Sequence, residues 1–276
     1  PCMFINDKGF TVLTYVDDII CIGSKEETDI FYNKIHKRFK CKDEIILNPD
    51  NALSFLGFDI KCIDYDPKDI KHEPHMINNE GKIRVVTMDQ EVAISQFLHN
   101  NNTTPIKDIK QPITNKKELM KDTTLLQDIE INKFQSKVGS CNYFATTTRY
   151  DIAYAISRVR PFANKPTKGA NKALDRILSY LLATSSFKVK GIFGSKHNEL
   201  LTYTDSDHAG DMPMTTFSHT GVVIMLNNVP IKWKSTKQTK TSRSSAEAET
   251  YALDCGVGEA QHINNKLTEM DANTPW

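Results

Sequence analysis

The stretch Phe10-Thr-Val-Leu-Thr-Tyr-Val-Asp-Asp-Ile-Ile-Cys-Ile22 holds two adjacent acids between two apolar, β-rich runs. The runs predict two strands, and the short connection predicts a β-hairpin with Asp17 and Asp18 at its tip. Adjacent carboxylates repel each other unless a cation lies between them, so a divalent metal is their natural partner. The alternative is an ordinary Asp-Asp turn, because acids favour turns without any metal.

The sequence after this hairpin predicts a helix and two more strands. Ser24 with Glu27 three residues later matches a capping box, and the apolar stripe that follows consists of Ile30, Phe31, Ile35 and Phe39. Strands are predicted at residues 53–60 and 82–88. Residues 99–124 lack sustained periodicity, which predicts a linker or a loosely packed crossing, with a domain boundary there.

The second half of the chain changes period twice. A helical period of three and four residues runs through Ala170, Ala173, Leu174, Ile177, Leu178, Leu181 and Leu182. Another helical region precedes it, from Val138 to Ile156, and Pro161 and Pro166 separate the two. Strand patterns return at 200–204, 221–226 and 229–233, followed by a helix from about Ser244. The fold class expected is therefore α+β.

Composition excludes several protein classes. With 276 residues, 39% hydrophobic and 25% charged, the chain resembles ordinary globular proteins rather than disordered ones. A net charge of +1 requires any basic surface to be local. Six cysteines without a CxxC pair favour reduced thiols over disulfides or zinc. No apolar run is long enough for a membrane span, and no signal peptide opens the chain.

Two motifs in the first third resemble reverse transcriptases. Tyr15-Val16-Asp17-Asp18 resembles their catalytic hairpin, and Phe55-Leu56-Gly57 resembles the strand that grips the primer end. The resemblance implies Asp17 as the stronger metal ligand, Asp18 as the weaker one, and Tyr15 near the primer end or the incoming nucleotide. In that family two Mg²⁺ ions, or Mn²⁺ in their place, lie about 3.5–4 Å apart and activate the primer hydroxyl.

A middle pair of motifs is specific to Copia-type retrotransposons. Val138-Gly-Ser-Cys-Asn-Tyr143 and Thr148-Arg-Tyr-Asp-Ile-Ala-Tyr-Ala-Ile156 resemble the Copia patterns VGSLMYL and TRPDIAYAV. From the residues alone, they predict amphipathic helices with Arg149 and Asp151 at a helix start. We interpret these motifs as marks of the family that carry no chemistry.

Two late motifs resemble the start of a Copia ribonuclease H domain. Tyr203-Thr-Asp-Ser-Asp-His-Ala-Gly-Asp211 resembles YSDADWAGD, and Ser244-Ser-Ala-Glu-Ala-Glu-Thr-Tyr-Ala-Leu253 resembles SSTEAEYMAL. The resemblance implies that Asp205 and Glu249 share a metal that activates water against an RNA phosphate. The other acids, Asp207, Asp211 and Glu247, are interpreted as turn or solvated residues.

A cluster of cations precedes the last helix. Five of them, with Trp233, fall in a twelve-residue stretch that contains no acid: Lys232, Lys234, Lys237, Lys240 and Arg243. The cluster favours contacts with nucleic-acid phosphates. The alternative is a solvated edge strand that its lysines protect from aggregation.

The resemblance covers nearly the whole chain and implies three parts. These are the late palm of a reverse transcriptase (1–98), a linker with thumb- or connection-like helices (99–195), and the N-terminal part of a ribonuclease H-like mixed sheet (196–276). The implied activity is RNA-directed DNA polymerase with ribonuclease H in retrotransposition. The alternatives are an inactive retrotransposon remnant and a domesticated scaffold that binds nucleic acid or protein.

The same resemblance implies partners and a location. The partners are an RNA template, a DNA primer, RNA–DNA hybrid, deoxynucleoside triphosphates and the rest of the Pol polyprotein. The location is a cytoplasmic virus-like particle, and the nucleus, without secretion. Because the family places further metal ligands outside these residues, we expect the 276-residue chain to lack both activities when assayed alone.

Overall fold

The structure, a computed structural model, describes residues 2–71, 74–113, 119, 121–192, 199–209 and 216–272. The chain divides into two compact units. One comprises Pro1–Ile46 and Val257–Trp276, and the other comprises Leu47–Gly256. The described residues form both helices and antiparallel strands, and the finer fold class stays a prediction. The predicted three-part division follows different borders and stays a prediction.

The first unit contains the acidic hairpin. Strands β1 (Met3–Ile5), β2 (Thr11–Tyr15) and β3 (Asp18–Ile22) form an antiparallel sheet in that order, and helix α1 (Lys25–His36) follows. The predicted hairpin and helix are confirmed. Ser24 caps α1 by accepting a hydrogen bond from the Glu27 amide at 3.3 Å. Phe39 was predicted in the apolar stripe, but it lies beyond the last helical turn and is exposed.

A four-stranded antiparallel sheet opens the second unit. Its order is β4 (Leu53–Phe55), β5 (Phe58–Tyr65), β6 (Ile83–Asp89) and β7 (Val189–Ile192). The prediction of one strand over 53–60 was wrong, because the chain reverses at Leu56–Gly57. Both turn residues have positive φ, +50° and +75°, which makes a two-residue hairpin loop.

Four helices form the main hydrophobic core of the second unit. They are α2 (Glu91–Asn100), α3 (Asp128–Thr147), α4 (Ala153–Val159) and α5 (Lys168–Ala183), and both predicted helical regions are thereby confirmed. The predicted stripe of α5 is buried except for Leu182, which is 37% exposed. Cys141 lies in this core, and burial raises the pKa of its thiol to about 12. All six cysteines are free, as expected.

The segment predicted as a linker differs from that expectation at its described residues. Leu119 is 1% exposed and belongs to the helical core. The Ile106 amide donates to Ser179 Oγ on α5 at 2.6 Å. Gly169 packs against the Leu119 carbonyl so closely that an added Cβ would lie 2.8 Å from its oxygen. This segment therefore packs against the helical core although its sequence has no regular hydrophobic period, because individual contacts to distant residues hold it.

The last sheet and the part of the last helix up to Gly256 belong to the second unit, and the rest of that helix is counted with the first. Strands β8 (Leu200–Asp207), β9 (His219–Leu226) and β10 (Val229–Lys237) form an antiparallel meander with β9 in the centre. All three predicted strands are confirmed and extend further than predicted. Asn227 and Asn228 form the β9–β10 turn with positive φ values, which asparagine tolerates well. Helix α6 (Ser245–Ala272) begins where the sequence predicts.

Candidate functional site

The tip of the β2–β3 hairpin presents its acids to solvent. Tyr15 pairs with Asp18 across the hairpin, and only Val16 and Asp17 form the loop. Tyr15, Asp17 and Asp18 are all exposed. Val16 is 91% exposed and has a φ of +55°, which is strained for a β-branched residue. Strain of this kind concentrates at functional loops, where the surrounding structure maintains it.

The turn at Leu56–Gly57 is held by side chains of the helical region. Tyr143 on α3 donates its hydroxyl hydrogen to the Leu56 carbonyl. Gln90 Nε2 donates to the Gly57 carbonyl at 3.4 Å. The Gln90 side chain is fixed in turn by Thr148, whose hydroxyl donates to Gln90 Oε1 at 2.8 Å. Both turn carbonyls therefore have a donor, and the Phe55-Leu56-Gly57 motif has a defined orientation relative to α3.

Small residues bring α6 against β8 and so place Glu249 near the strand. Ala248 and Ala252 are fully buried, and Gly256 packs directly on the Thr204 methyl group. Because these residues are four apart, they form one face of the helix. This close approach lets Glu249 Oε1 accept a hydrogen bond from the Ser206 amide at 3.4 Å.

Asp205 immediately precedes Ser206, but its side chain lies on the other face of the sheet. Successive side chains of a strand alternate, and Thr204 faces α6. Asp205 therefore points away from the helix, into a cleft that also contains Tyr203 and Asp207. Asp205 and Glu249 are both exposed, but they lie on opposite faces of the edge strand β8, so the structure does not bring together the pair that was expected to share a metal.

A buried glutamine fixes the beginning of α6. Gln238 is 8% exposed, and its Nε2 donates both to Thr220 Oγ1 and to the Ala248 carbonyl at 3.0 Å. Its Oε1 accepts from the Ser242 hydroxyl at 3.0 Å. Gln238 thus joins β9 to the first turn of α6, one residue before Glu249. Sequence analysis missed this role, since a single glutamine in a basic stretch gives no signal of burial.

The remaining acids near these sites have local partners. Asp207 Oδ1 accepts from the His219 amide at 2.7 Å. Glu247 Oε2 accepts from the Arg243 amide at 2.6 Å, close to the helix start. The Glu247 carboxylate also accepts from the Tyr251 hydroxyl, which raises the pKa of that phenol. Asp211 lies outside the described residues.

The basic cluster is divided by strand alternation. Lys232 and Lys234 share one face of β10, whereas Lys237 lies on the other face with Trp233. The Lys237 ammonium lies 5.2 Å from the Phe217 ring centroid. Lys240 and Arg243 follow in the connection to α6 and are exposed. The five cations therefore border an edge strand on both faces and do not form one flat patch.

Carboxylate oxygens at the hairpin and at β8 are ligands of the type that Mg²⁺ prefers. Among the described residues, no group of three or more His, Cys, Asp or Glu side chains is arranged to hold a metal ion. The hairpin thus offers two neighbouring acids, which are part of a ligand set, whereas at β8 each face of the strand offers one of the two expected acids. In the described part of the chain, no helix is both long and apolar enough to cross a membrane.

Several curated proteins are similar to this chain. The Retrovirus-related Pol polyprotein from transposon RE1 of Arabidopsis thaliana is 31% identical over 97% of this chain and 17% of its own length. The Pol polyprotein from transposon TNT 1-94 of Nicotiana tabacum is 30% identical over 91% of this chain and 18% of its own. The putative transposon Ty5-1 protein of Saccharomyces cerevisiae is 30% identical over 84% of this chain and 67% of its own length.

The chain thus spans about 17% of the length of the first of these relatives. No family model matches the chain, and no solved structure matches it either. The similarity includes the regions of both acid pairs, because it extends over 97% of the chain.

Proposed function

The chain belongs to the Copia-type retrotransposon Pol polyproteins, and on that premise we propose that it is a segment of an RNA-directed DNA polymerase with ribonuclease H. Its substrates are then an RNA template with a DNA primer, deoxynucleoside triphosphates and the RNA–DNA hybrid that synthesis produces. The first part carries the polymerase acids, and the last part carries the nuclease acids.

The observation that carries the polymerase proposal is the exposed, strained acidic hairpin. Two solvent-facing carboxylates at the hairpin tip, Asp17 in the loop and Asp18 at the start of β3, remain available to a ligand, whereas an ordinary turn acid usually caps its own backbone. The Leu56–Gly57 turn, with both carbonyls anchored, suits a rigid support for a primer end.

Magnesium, or manganese in its place, is the cofactor that this function implies. Asp17 and Asp18 would hold it at the hairpin. At β8, Asp205 and Glu249 lie on opposite faces of the strand, and this arrangement does not present both carboxylates to one ion. When bound, the metal stabilises the negative charge that develops on the attacking and leaving oxygens. The hairpin acids supply part of one ligand set, and the polyprotein supplies the rest.

The ribonuclease H proposal is supported by the approach of α6 to β8. Gly256 and Gln238 hold the helix so that Glu249 reaches the backbone beside Asp205. The cations of β10 and of the following connection supply charge for the phosphates of a hybrid.

Asp17→Asn tests the polymerase proposal in a polyprotein of the relatives' length. We expect primer extension on an RNA template to fall by more than about a hundredfold. Loss of one ligand weakens the binding of metal that stabilises both the attacking and the leaving oxygen in the transition state. Asp18→Asn should reduce primer extension less than Asp17→Asn does. Asp7→Asn, which changes an exposed acid of the neighbouring turn, serves as the control. Near-normal extension by Asp17→Asn would refute the assignment.

Asp205→Asn and Glu249→Gln test the nuclease proposal in the same polyprotein. Each should stop cleavage of the RNA strand of a labelled hybrid, whereas Asp254→Asn on the exposed side of α6 should not. Hybrid binding without any cleavage by the unmodified polyprotein would favour an inactive remnant.

A further inference from the structure

One face of the sheet β8–β10 lies opposite the helical region. Residues two apart on a strand share a face, so the face that does not pack on α6 carries Asp205 and Asp207 of β8. A cleft of about 510 Å³ lies over these acids, and Tyr150, Ala153 and Tyr154 line it from the helical side. We call these three residues the roof of the cleft and the face of the sheet its floor.

The roof meets the floor without a shared hydrophobic core. Among the described residues, the buried apolar cluster of the helical region contains members of the four core helices and of the segments that adjoin them, but none of β8, β9 or β10. The buried apolar residues of the sheet, Val222 and Ile224, lie on the α6 face instead. Parts of a chain that are joined by polar contacts, without a common core, move relative to each other more readily.

Three polar side chains hold the roof to the floor. They are Ser157 on α4, His219 on β9 and Ser235 on β10, which we call the latch. His219 Nε2 lies 3.0 Å from both serine hydroxyl oxygens, and these oxygens are 3.3 Å apart. The Ser157 hydroxyl donates its hydrogen to the Tyr154 carbonyl at 2.7 Å, so towards the sheet it acts as an acceptor. His219 is only 6% exposed, and shielding from water strengthens such hydrogen bonds.

Aromatic contacts support the latch. The Tyr154 ring is perpendicular to the His219 ring, with centroids 5.4 Å apart. The Tyr150 ring lies 5.5 Å from the Trp233 ring, and the Trp233 indole donates to the Ala145 carbonyl. The roof is therefore held to the floor at a few defined points.

The opposite end of the sheet offers a pivot. His219 and Leu226 are the two ends of β9, so the β9–β10 turn lies away from the latch. At the turn end, Val229 packs on Gly191 of β7, where an added Cβ would lie 3.2 Å from Val229 Cγ2. The chain also enters the sheet at this end, because Leu200 pairs with Leu226. The sheet is thus tethered at one end and latched towards the other.

The closed cleft is too narrow for a double helix. The proposed function requires a hybrid phosphate to reach Asp205, which is exposed to water but lies on the floor. A volume of about 510 Å³ equals a sphere roughly 10 Å across, the size of a small-molecule site. The major groove of a DNA duplex alone is about 12 Å wide, so a whole helix is wider than this cleft. Water and small ions reach Asp205 in this state, whereas a hybrid requires the roof to move.

We propose that the latch is an autoinhibitory contact, which keeps the roof over Asp205 until the latch opens and the sheet turns about the Gly191–Val229 contact. The proposal rests on the proposed function in taking Asp205 as a nuclease residue and the hybrid as its substrate. A ligand that binds only the open state shifts the protein towards that state. The nuclease face is therefore closed in the free protein and opens when the hybrid binds.

A disulfide across the latch tests whether the roof must move. In Ser157→Cys/Ser235→Cys, sulfurs replace oxygens that are 3.3 Å apart, and small shifts bring them to the disulfide length of about 2.05 Å. In the polyprotein, the oxidised variant should cleave the hybrid at least about tenfold more slowly than the same sample after reduction with dithiothreitol. The single variants Ser157→Cys and Ser235→Cys control for disulfides of the native cysteines. Equal cleavage before and after reduction, with the new disulfide verified by mass spectrometry, would overturn the proposal.

The rate of disulfide formation gives a readout that needs no nuclease activity. With EDTA present so that the RNA stays intact, saturating hybrid should slow the oxidation of the double cysteine variant by diamide at least about threefold, because the sulfurs are apart in the open state. An unchanged rate would refute the latch even if the polyprotein cleaves hybrids. Slower oxidation in a polyprotein that never cleaves would support the latch and count against the proposed function.

A weakened latch should have the opposite effect to the disulfide. Ser157→Ala/Ser235→Ala removes both hydroxyl partners of His219 Nε2, so the initial rate of hybrid cleavage should rise roughly two- to tenfold for each hydrogen bond lost. Ser136→Ala, which changes an exposed serine of α3, serves as the control. A double variant with a normal unfolding curve that cleaves no faster would show that the latch does not limit entry of the hybrid.

Discussion

Arg149 is a fully buried cation whose partners come from three places in the second unit. Its guanidinium donates to both carboxylate oxygens of Asp151, at 3.0 and 2.7 Å, and to the Thr184 hydroxyl. The Phe187 ring lies 5.2 Å from the guanidinium carbon. The Copia-like motif Thr148–Ile156 thus has a structural role, because it joins the end of α3 to the end of α5.

Arg149→Met should lower the free energy of unfolding by about 3–5 kcal/mol, because it leaves the Asp151 carboxylate without its partner. Arg149→Lys should recover little of this lost stability, since an ammonium cannot make the two parallel hydrogen bonds to the Asp151 carboxylate. The double variant Arg149→Met/Asp151→Asn should be more stable than Arg149→Met alone, because no charge remains unpaired. Urea unfolding measures all three, and a cost below about 1 kcal/mol for Arg149→Met would contradict this role.

Among the elements, the β4–β5 hairpin depends on α3 for its orientation. The Leu56 carbonyl accepts from Tyr143, and the Gly57 carbonyl accepts from Gln90. A two-stranded hairpin of this length moves easily at its tip without such contacts.

Tyr143→Phe should therefore increase hydrogen exchange of the amides at 55–58 and lower stability by about 0.5–1.5 kcal/mol. In the polyprotein, the KM for primed template should rise more than kcat falls, because the primer end is less well positioned. Tyr65→Phe on β5 serves as the control. Unchanged exchange at the turn would show that the hydroxyl does not hold the hairpin.

Substitutions of lysines on β10 and in the connection after it distinguish the two interpretations of the basic cluster, phosphate contacts and protection of an edge strand. The double variant Lys234→Gln/Lys240→Gln should bind the RNA–DNA hybrid more weakly. The slope of the logarithm of its binding constant against the logarithm of the salt concentration should become shallower, by about 0.7–0.9 for each phosphate that a lysine no longer neutralises. Lys190→Gln on β7 is the control. If the slope is unchanged and the variant aggregates, the lysines protect an edge strand instead.

At the scale of the whole molecule, the two acid pairs belong to different compact units. Asp17 and Asp18 lie in Pro1–Ile46, whereas Asp205 and Glu249 lie in Leu47–Gly256. The two pairs lie on different elements, so we expect chemistry at one not to require the carboxylates of the other.

The two activities should accordingly be separable. In the polyprotein, Asp17→Asn should retain hybrid cleavage within about twofold, and Asp205→Asn should retain primer extension to the same degree. A mixture of the two variants should carry out both reactions on added substrates. Loss of both activities in either single variant, with normal unfolding curves, would show that the sites are coupled.

The local pattern of the sequence alone was enough to predict most of the helices and strands. The acidic hairpin, the Ser24 cap, the stripe of α5 and the start of α6 follow from residues close together in the chain, because hydrogen bonds and burial within one element set them. Motif resemblance named the family, which the relatives confirm. It also named both acid pairs, and their roles stay predictions.

Contacts between distant residues decided the rest. The turn at Leu56–Gly57 replaced a predicted strand, since two left-handed residues reverse the chain where an apolar run suggests continuity. The packing of Leu119 and the burial of Gln238 leave no periodic trace in the sequence. Each depends on neighbours from distant parts of the chain, which meet only when the chain folds.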